Sequence, residues 1–327
     1  MQFRTEIPIQ AAPFQIDHQT SILSLGSCFA ERIGQRLEAA KFDILSNPLG
    51  ILYHPLALSK LIRMAIGLEA APDICFAEHL TLWHSFDLHG HYRESERNVL
   101  RSSIDKDLQT LKAHIVKTDT LLLTLGTAWV YETLSEEKMV ANCHKYPTAH
   151  FKKRLLTTEE VVLDYKRLFA ELKNLRPKLN VILTVSPVRH QRDTLVLNSV
   201  SKSVLRLSAH QLSEQLAQVH YYPAYELLMD DLRDYRYYAK DLLHPNEQGE
   251  QYVWEHFEAS FFAPQTQDLL KRWEKLRQAL AHRPFQTDGE AYHKFLTNLL
   301  GKLKSLATKL PLADEIAATQ SKLNALA

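Results

Sequence analysis

Short apolar runs alternate with helical periods along most of the chain. "SILSLG" (21–26) is strand-like, and the next segment sets Phe29, Ile33 and Leu37 four residues apart on one helical face. "FDILSNPLG" reads as a second strand that ends at Asn47, Pro48 and Gly50. "DTLLLTLG" is a third, continuous enough to be buried on both faces as in a parallel sheet. "NVILTVSPV" is a fourth, stopped by Pro187, and "QVHYYPAY" adds a weaker fifth. Helical periods fall between them, notably at roughly 158–174 and 198–217. Strand-then-helix alternation of this kind predicts an α/β sandwich with a mainly parallel sheet. Sites in such sheets form at the carboxyl ends of the strands. Ser27, Cys28, Gly50, Thr127 and Arg189 each follow a strand end.

Two regions depart from the alternation. Residues 51–118 interrupt it between the second and third strands and carry Tyr53, His54, Trp83, His84, His89 and His91, which suggests a cap. From residue 264 the pattern turns wholly helical. Leu269, Leu270, Trp273, Leu276 and Leu280 make one stripe, and Leu296, Leu299, Leu300, Leu303 and Leu306 make another. The expected organisation is a main domain over 1–263 and a helical extension over 264–327, packed on the domain or used for homo-oligomer contacts.

Composition narrows the function. A formal net charge of +1 over 327 residues gives no electrostatic reason to expect nucleic acid or an anionic membrane. The longest apolar runs are too short to span a bilayer. "MQFRTEIPIQ" lacks the apolar core of a signal peptide. The three cysteines are far apart with no CxxC pair, so neither a disulfide framework nor structural zinc is expected, and a cytoplasmic setting is the simplest expectation. His84, His89 and His91 have no carboxylate or cysteine at a usual ligand spacing, so no metal is expected there.

Three stretches carry candidate chemistry. In "AKDLLHPNEQGE", Asp241 and His244 are three apart, and Pro245 opens a helix. A carboxylate and an imidazole on one short loop can hydrogen-bond, which fixes the ring's tautomer and leaves its other nitrogen as a general base. Far upstream, Ser27 and Cys28 sit side by side at a strand-to-helix junction, where either could be a nucleophile. A helix N-terminus favours a thiolate, although a buried cysteine is often inert core. Arg189 and His190 lie in a loop at a strand's carboxyl end, placed to bind a polar substrate or to form a salt-bridged loop.

The string "SLGSCFAE" (24–31) resembles the GSCFA family, which is related to the SGNH (GDSL-like) hydrolases. The likeness runs to about residue 287 through "NPLGILYHP", "TLGTAWVYE", "ANCHKYP", "TVSPVRH", "YYPAYELLMDDLRDYRYYAKDLLHP" and "AHRPF". It implies a three-layer, flavodoxin-like α/β/α sandwich with an esterase-type site and no cofactor. Asp241 and His244 match the family's orienting acid and base. Gly50 matches the glycine whose N–H helps to hold an oxyanion. "LGTAW" stands in place of a Gly-x-Asn-Asp block, so Ala128 replaces the oxyanion asparagine, and Asn142 or Thr127 becomes the substitute. Setting glycine on glycine against Gly-Asp-Ser puts Cys28 on the nucleophile, while a shift of one would make it Ser27. The resemblance implies an esterase or acyltransferase acting on a small or carbohydrate O-acyl ester; a thiol-dependent acyltransferase acting on coenzyme A thioesters is a further possibility. The alternative is a catalytically weak or inactive module that binds a glycan or a protein.

Overall fold

A computed structural model describes residues 4–77, 80–282 and 289–326. In chain order the elements are β1 (Ser21–Gly26), α1 (Cys28–Ala39), β2 (Asp43–Ser46), α2 (Pro55–Ile66), β3 (Cys75–Ala77), β4 (Leu82–His84), β5 (Arg93–Glu94), α3 (Arg97–Ile115) and β6 (Thr120–Leu125). They continue with β7 (Trp129–Thr133), β8 (Met139–Val140), β9 (Phe151–Leu155), α4 (Thr158–Leu175), β10 (Asn180–Val185), α5 (Thr194–Gln215) and β11 (Val219–Tyr222). The chain closes with the single turn α6 (Ala224–Glu226), then α7 (Glu247–Phe261), α8 (Pro264–Ala281), α9 (Glu290–Leu306) and α10 (Ala313–Asn324).

The five expected strands form one parallel sheet in the order β11-β10-β6-β1-β2. Every residue of β1 and β6 is buried, which is why their sequences are dominated by apolar residues with only small hydroxyl residues between them. Alternate side chains serve opposite layers. Leu23, Leu25, Leu121, Leu123, Val181 and Leu183 pack with α2, α3, α4 and α5. Ile22, Leu122, Ile182 and Tyr222 pack with Phe29 and Ile33 of α1 and Val253 and Phe257 of α7. The result is a three-layer α/β/α sandwich: the parallel sheet that the alternation predicts, covered on both faces as the family resemblance implies.

The 51–118 region differs from the expected cap. Leu58, Leu61 and Ile62 of α2 and Leu100, Ile104 and Leu111 of α3 are buried in the same cluster as the central strands. Most of this segment is therefore crossover structure, and only the antiparallel β3-β4-β5 sheet stands outside the sandwich layers. A second antiparallel sheet, β8-β7-β9, has no counterpart in the hydropathy pattern. Its strands are short and show no clean alternation of burial, so they leave no two-residue period to detect.

The C-terminal helices have their own cluster, built from Trp273, Leu276, Leu299, Leu303, Leu306, Leu310 and Leu312. They are also fastened to the sandwich. Leu270 belongs to the layer beneath α1 and α7, and the Trp273 indole donates to Ala39 O at 2.7 Å. Residues 283–285 of the "AHRPF" string lie outside the described residues. Among the described residues, no helix is long and apolar enough to cross a membrane.

Candidate active site

The junction between β1 and α1 is shaped by two residues. Gly26 has φ of +142°, and a Cβ there would fall 2.3 Å from Thr124 O, so only glycine lets β1 turn this close to β6. Ser27 then caps α1: its backbone is extended and its Oγ accepts the Phe29 N–H at 3.3 Å. Ser27 is 1% exposed, which leaves Cys28, the first helical residue, on the site side of the turn.

The Asp241 loop approaches Cys28 from the other end of the chain. A backbone bridge between Tyr238 and Pro245, and an Ala239 N–H donated to His244 O at 2.8 Å, close it into a tight bend. Leu242 takes a left-handed φ of 60° at its tip. Asp241 Oδ1 accepts from the amides of Leu243 (2.9 Å) and His244 (3.0 Å). Its Oδ2 lies 2.6 Å from His244 Nδ1. The Leu243 amide first, then the His244 ring and amide, hold the Asp241 carboxyl down at about 2. The carboxylate therefore orients the ring by accepting an Nδ1 proton, so that Nε2 is the nitrogen turned to the site. That nitrogen lies 3.4 Å from Cys28 Sγ.

Burial raises the Cys28 thiol above its ordinary value, opposed by the Lys202 charge and by the amides of Phe29 and Cys28 itself. Around it stand Tyr53, raised by burial and by the Cys28 charge, and His190, whose ring meets Tyr53 edge-on at 5.3 Å. Burial and the Lys202 charge bring His190 down to about 4, so it is a neutral imidazole at physiological pH. Neither Tyr53 nor Lys202 stands out as a site residue in the sequence. Tyr53 belongs to "NPLGILYHP", and Lys202 sits in an ordinary helical period.

The expected oxyanion donors fare differently. The Gly50 N–H, expected to serve an oxyanion, here donates to Asn47 O at 2.8 Å within the turn after β2. Glycine is required there for another reason: φ is +81°, and a Cβ would lie 2.5 Å from His89 Cβ. Thr127 is likewise engaged within the protein. Its N–H donates to Tyr53 O (3.1 Å), and its hydroxyl is paired with Ser201 Oγ (3.1 Å) and accepts from the Trp129 amide (3.1 Å). Ala128 is fully buried and its own N–H donates to Ser201 Oγ at 2.7 Å. Asn142 follows β8, where its Oδ1 accepts the His144 N–H at 2.8 Å and its Nδ2 faces Gly90.

Arg189 does not point into open space. Its guanidinium stacks 5.0 Å from the Tyr238 ring and reaches Met229 Sδ, so it braces the Asp241 loop. The three histidines of 84–91 have different surroundings. His84 is buried against His144, with ring centroids 4.7 Å apart. His89 and His91 place their Nδ1 atoms 2.8 Å apart beside Gly50.

The chain is similar to the lipase Lip_vut3 from a goat rumen metagenome, with 11% identity over 74% of this chain and 98% of that one and a TM-score of 0.38. It is also similar to a carbohydrate esterase family 3 structure from Talaromyces cellulolyticus, with 11% identity over 77% of this chain and 98% of that one and a TM-score of 0.32. No curated protein matches the sequence. The model of the "GSCFA domain protein, C-terminal domain" matches residues 273–325. The GSCFA family model matches residues 21–257, well over half of the length, and the chain belongs to the GSCFA family.

Proposed function

We propose that this protein is an SGNH-like acyl hydrolase or acyltransferase in which Cys28 is the nucleophile. The observation that carries the reading is the line Cys28 Sγ, His244 Nε2, His244 Nδ1, Asp241 Oδ2, with separations of 3.4 and 2.6 Å across its two contacts. Because burial keeps the thiol protonated at rest, it needs a base, much as a serine hydroxyl does. His244 Nε2 takes the thiol proton while sulfur attacks the ester carbonyl. The resulting imidazolium is stabilised by Asp241. The tetrahedral oxyanion forms at the N-terminus of α1, where the Cys28 amide and the helix dipole favour negative charge. Asn142 Nδ2 is the remaining side-chain candidate for a second donor. On collapse the C–O bond breaks, His244 returns its proton to the leaving alkoxide, and a thioester remains on Cys28. Water or an acceptor hydroxyl, deprotonated by His244, then attacks the thioester and restores the thiol. A small or carbohydrate O-acyl ester suits a site edged by the Tyr53 and His190 rings.

The test is to trap the thioester. Incubation with p-nitrophenyl acetate and acid quenching should leave one acetyl group on the Cys28 peptide, removable by neutral hydroxylamine. Asp241→Asn should slow acylation about a hundredfold or more, and Cys28→Ala should abolish it. Acetyl on Ser27, or none on the intact folded chain with any activated ester, would sink the reading. The engaged N–H groups of Gly50 and Thr127 favour one alternative, a catalytically weak module that binds an acylated glycan or protein. Absence of acylation would support it.

A further inference from the structure

The chain moves from β1 to β2 on one side of the sheet and from β6 to β10 and β11 on the other, so the strand order reverses between β1 and β6. The helices that follow these two strands cover opposite faces: α1 packs with Ile22 and Leu122, and α4 with Leu23 and Leu123. In open sheets of this kind a ligand takes the crevice at the carboxyl ends of the two strands. Here the chain fills that crevice itself. The Leu52 N–H donates to Gly26 O at the end of β1 (3.2 Å), and Tyr53 O accepts the N–H groups of Gly126 (2.8 Å) and Thr127 (3.1 Å), just past β6. Gly126 has no slack. Lys202 Nζ donates to its carbonyl and to that of Ser186, each at 2.7 Å. A Cβ on Gly126 would lie 2.9 Å from Tyr53 O and 3.3 Å from both Tyr53 Cα and Ser27 Cβ. Tyr53 and the residue before Cys28 thus flank one glycine.

The half-buried Tyr53 ring extends this plug toward β10. It meets the His190 ring edge-on at 5.3 Å between centroids. The His190 N–H is tied in turn to Asn198 Oδ1 of α5 at 3.0 Å, so the ring leans on a loop that is itself anchored. We propose that Tyr53 is a specificity-determining residue of the Cys28 site. Its backbone closes the crevice between β1 and β6, its ring walls the side toward β10, and the space left over the sulfur admits an acyl group of about acetyl size. An acetyl carbonyl carries only a methyl past the sulfur, whereas each further methylene of a longer chain has to pass the ring. A methylene that does not fit changes a rate about 10–200-fold. The limit on the acyl group rests on the acyl-transfer reading, whereas the wall itself acts on any reagent that must reach Cys28.

Alkylation of Cys28 by iodoacetamide and by its N-benzyl derivative, followed on the Cys28 peptide by mass spectrometry, measures the wall without any substrate. Both reagents attack the same thiolate, so the ratio of their rates cancels the thiol's acidity and reads access. Relative to N-acetylcysteine, Cys28 of the parent should disfavour the benzyl reagent about tenfold or more. Tyr53→Ala should recover most of that factor, and Tyr53→Phe, which keeps the ring, should hold the parent ratio. Equal ratios for Cys28 and N-acetylcysteine, or an unchanged ratio in folded Tyr53→Ala, overturn the inference. Should Tyr53→Ala not fold, Tyr53→Leu takes its place under the same criterion. The second arm compares acylation of Cys28 by p-nitrophenyl acetate, butyrate and octanoate. The parent should favour acetate about tenfold or more over octanoate, and Tyr53→Ala should shift the order toward the longer chains. No acylation by any ester, with the alkylation ratios as stated, would refute the acyl-transfer reading alone. Equal acylation by all three esters, or an order that Tyr53→Ala leaves unmoved, would refute this inference alone.

Discussion

Ser27 and Cys28 are adjacent, but their side chains face different surroundings. The Ser27 hydroxyl is turned inward to cap α1, while the Cys28 sulfur faces the His244 ring. Ser27→Ala should therefore lower stability by about 1 kcal/mol, as loss of a capping oxygen does, and leave acylation of Cys28 intact. Loss of acylation in a folded Ser27→Ala protein would return the serine to contention. The pair Asp241 and His244 is readable from the chain because its contact is local, three residues long. The position of Cys28 is readable because a helix starts there. Lys202 is not, since nothing in "SVSKSVLR" separates a lysine under a sheet from one in solvent. Only the topology, which lays α5 across the carboxyl ends of β6 and β10, gives it two carbonyls to hold. The partners of the expected oxyanion donors are hidden for a related reason. A sequence position fixes an amide's place along the chain, but the Asn47 and Tyr53 carbonyls decide whether it is free.

At the scale of elements, the central strands β1, β6 and β10 declare themselves through nearly unbroken burial, whereas the helices inside 51–118 are masked by the loops and short strands around them. The start of α2 shows how such a helix is held. His54 caps it, with Nδ1 accepting the Ala57 N–H at 3.1 Å and Nε2–H donating to Val140 O at 3.1 Å, so the buried ring must be neutral. Burial brings it down to about 4. His144, donating to Ser85 O at 2.6 Å, is also brought to about 4 by burial, assisted by His84. Both folded values lie below the ordinary 6.5, so below that pH the unfolded chain binds protons that the folded chain refuses. Stability should fall as pH drops from about 6.5 toward about 4, by about 1.4 kcal/mol per pH unit for each ring, and flatten below that window. Urea midpoints across this range measure it. His54→Asn keeps an oxygen cap and should reduce the slope by about one proton. An unchanged slope in that variant would show that His54 is not one of the responsible groups.

The whole molecule raises the question of what the C-terminal helices contribute. Their own leucine cluster suggests a separate unit, yet Leu270 reaches the core beneath α1 and α7. Lys41, just past the end of α1, pairs with Glu315 of α10 at 2.5 Å. Trp273 is the firmest link. It is 3% exposed, and its indole donates to a carbonyl in the last turn of the helix that begins with Cys28. If these contacts make one cooperative body, Trp273→Ala should lower the stability of the entire chain by about 3–5 kcal/mol, the usual effect of emptying a buried tryptophan site. The denaturant midpoint should then fall within a single transition of unchanged slope. Two transitions, with circular dichroism registering a helical loss before the tryptophan fluorescence of the sandwich changes, would instead mean that the extension unfolds alone. The nucleophile should be indifferent to this change, because the far end of α1 lies roughly 16 Å from Cys28 at 1.5 Å per residue. The rate of Cys28 alkylation by iodoacetamide should match the parent's in folded Trp273→Ala, which separates anchoring the fold from tuning the site.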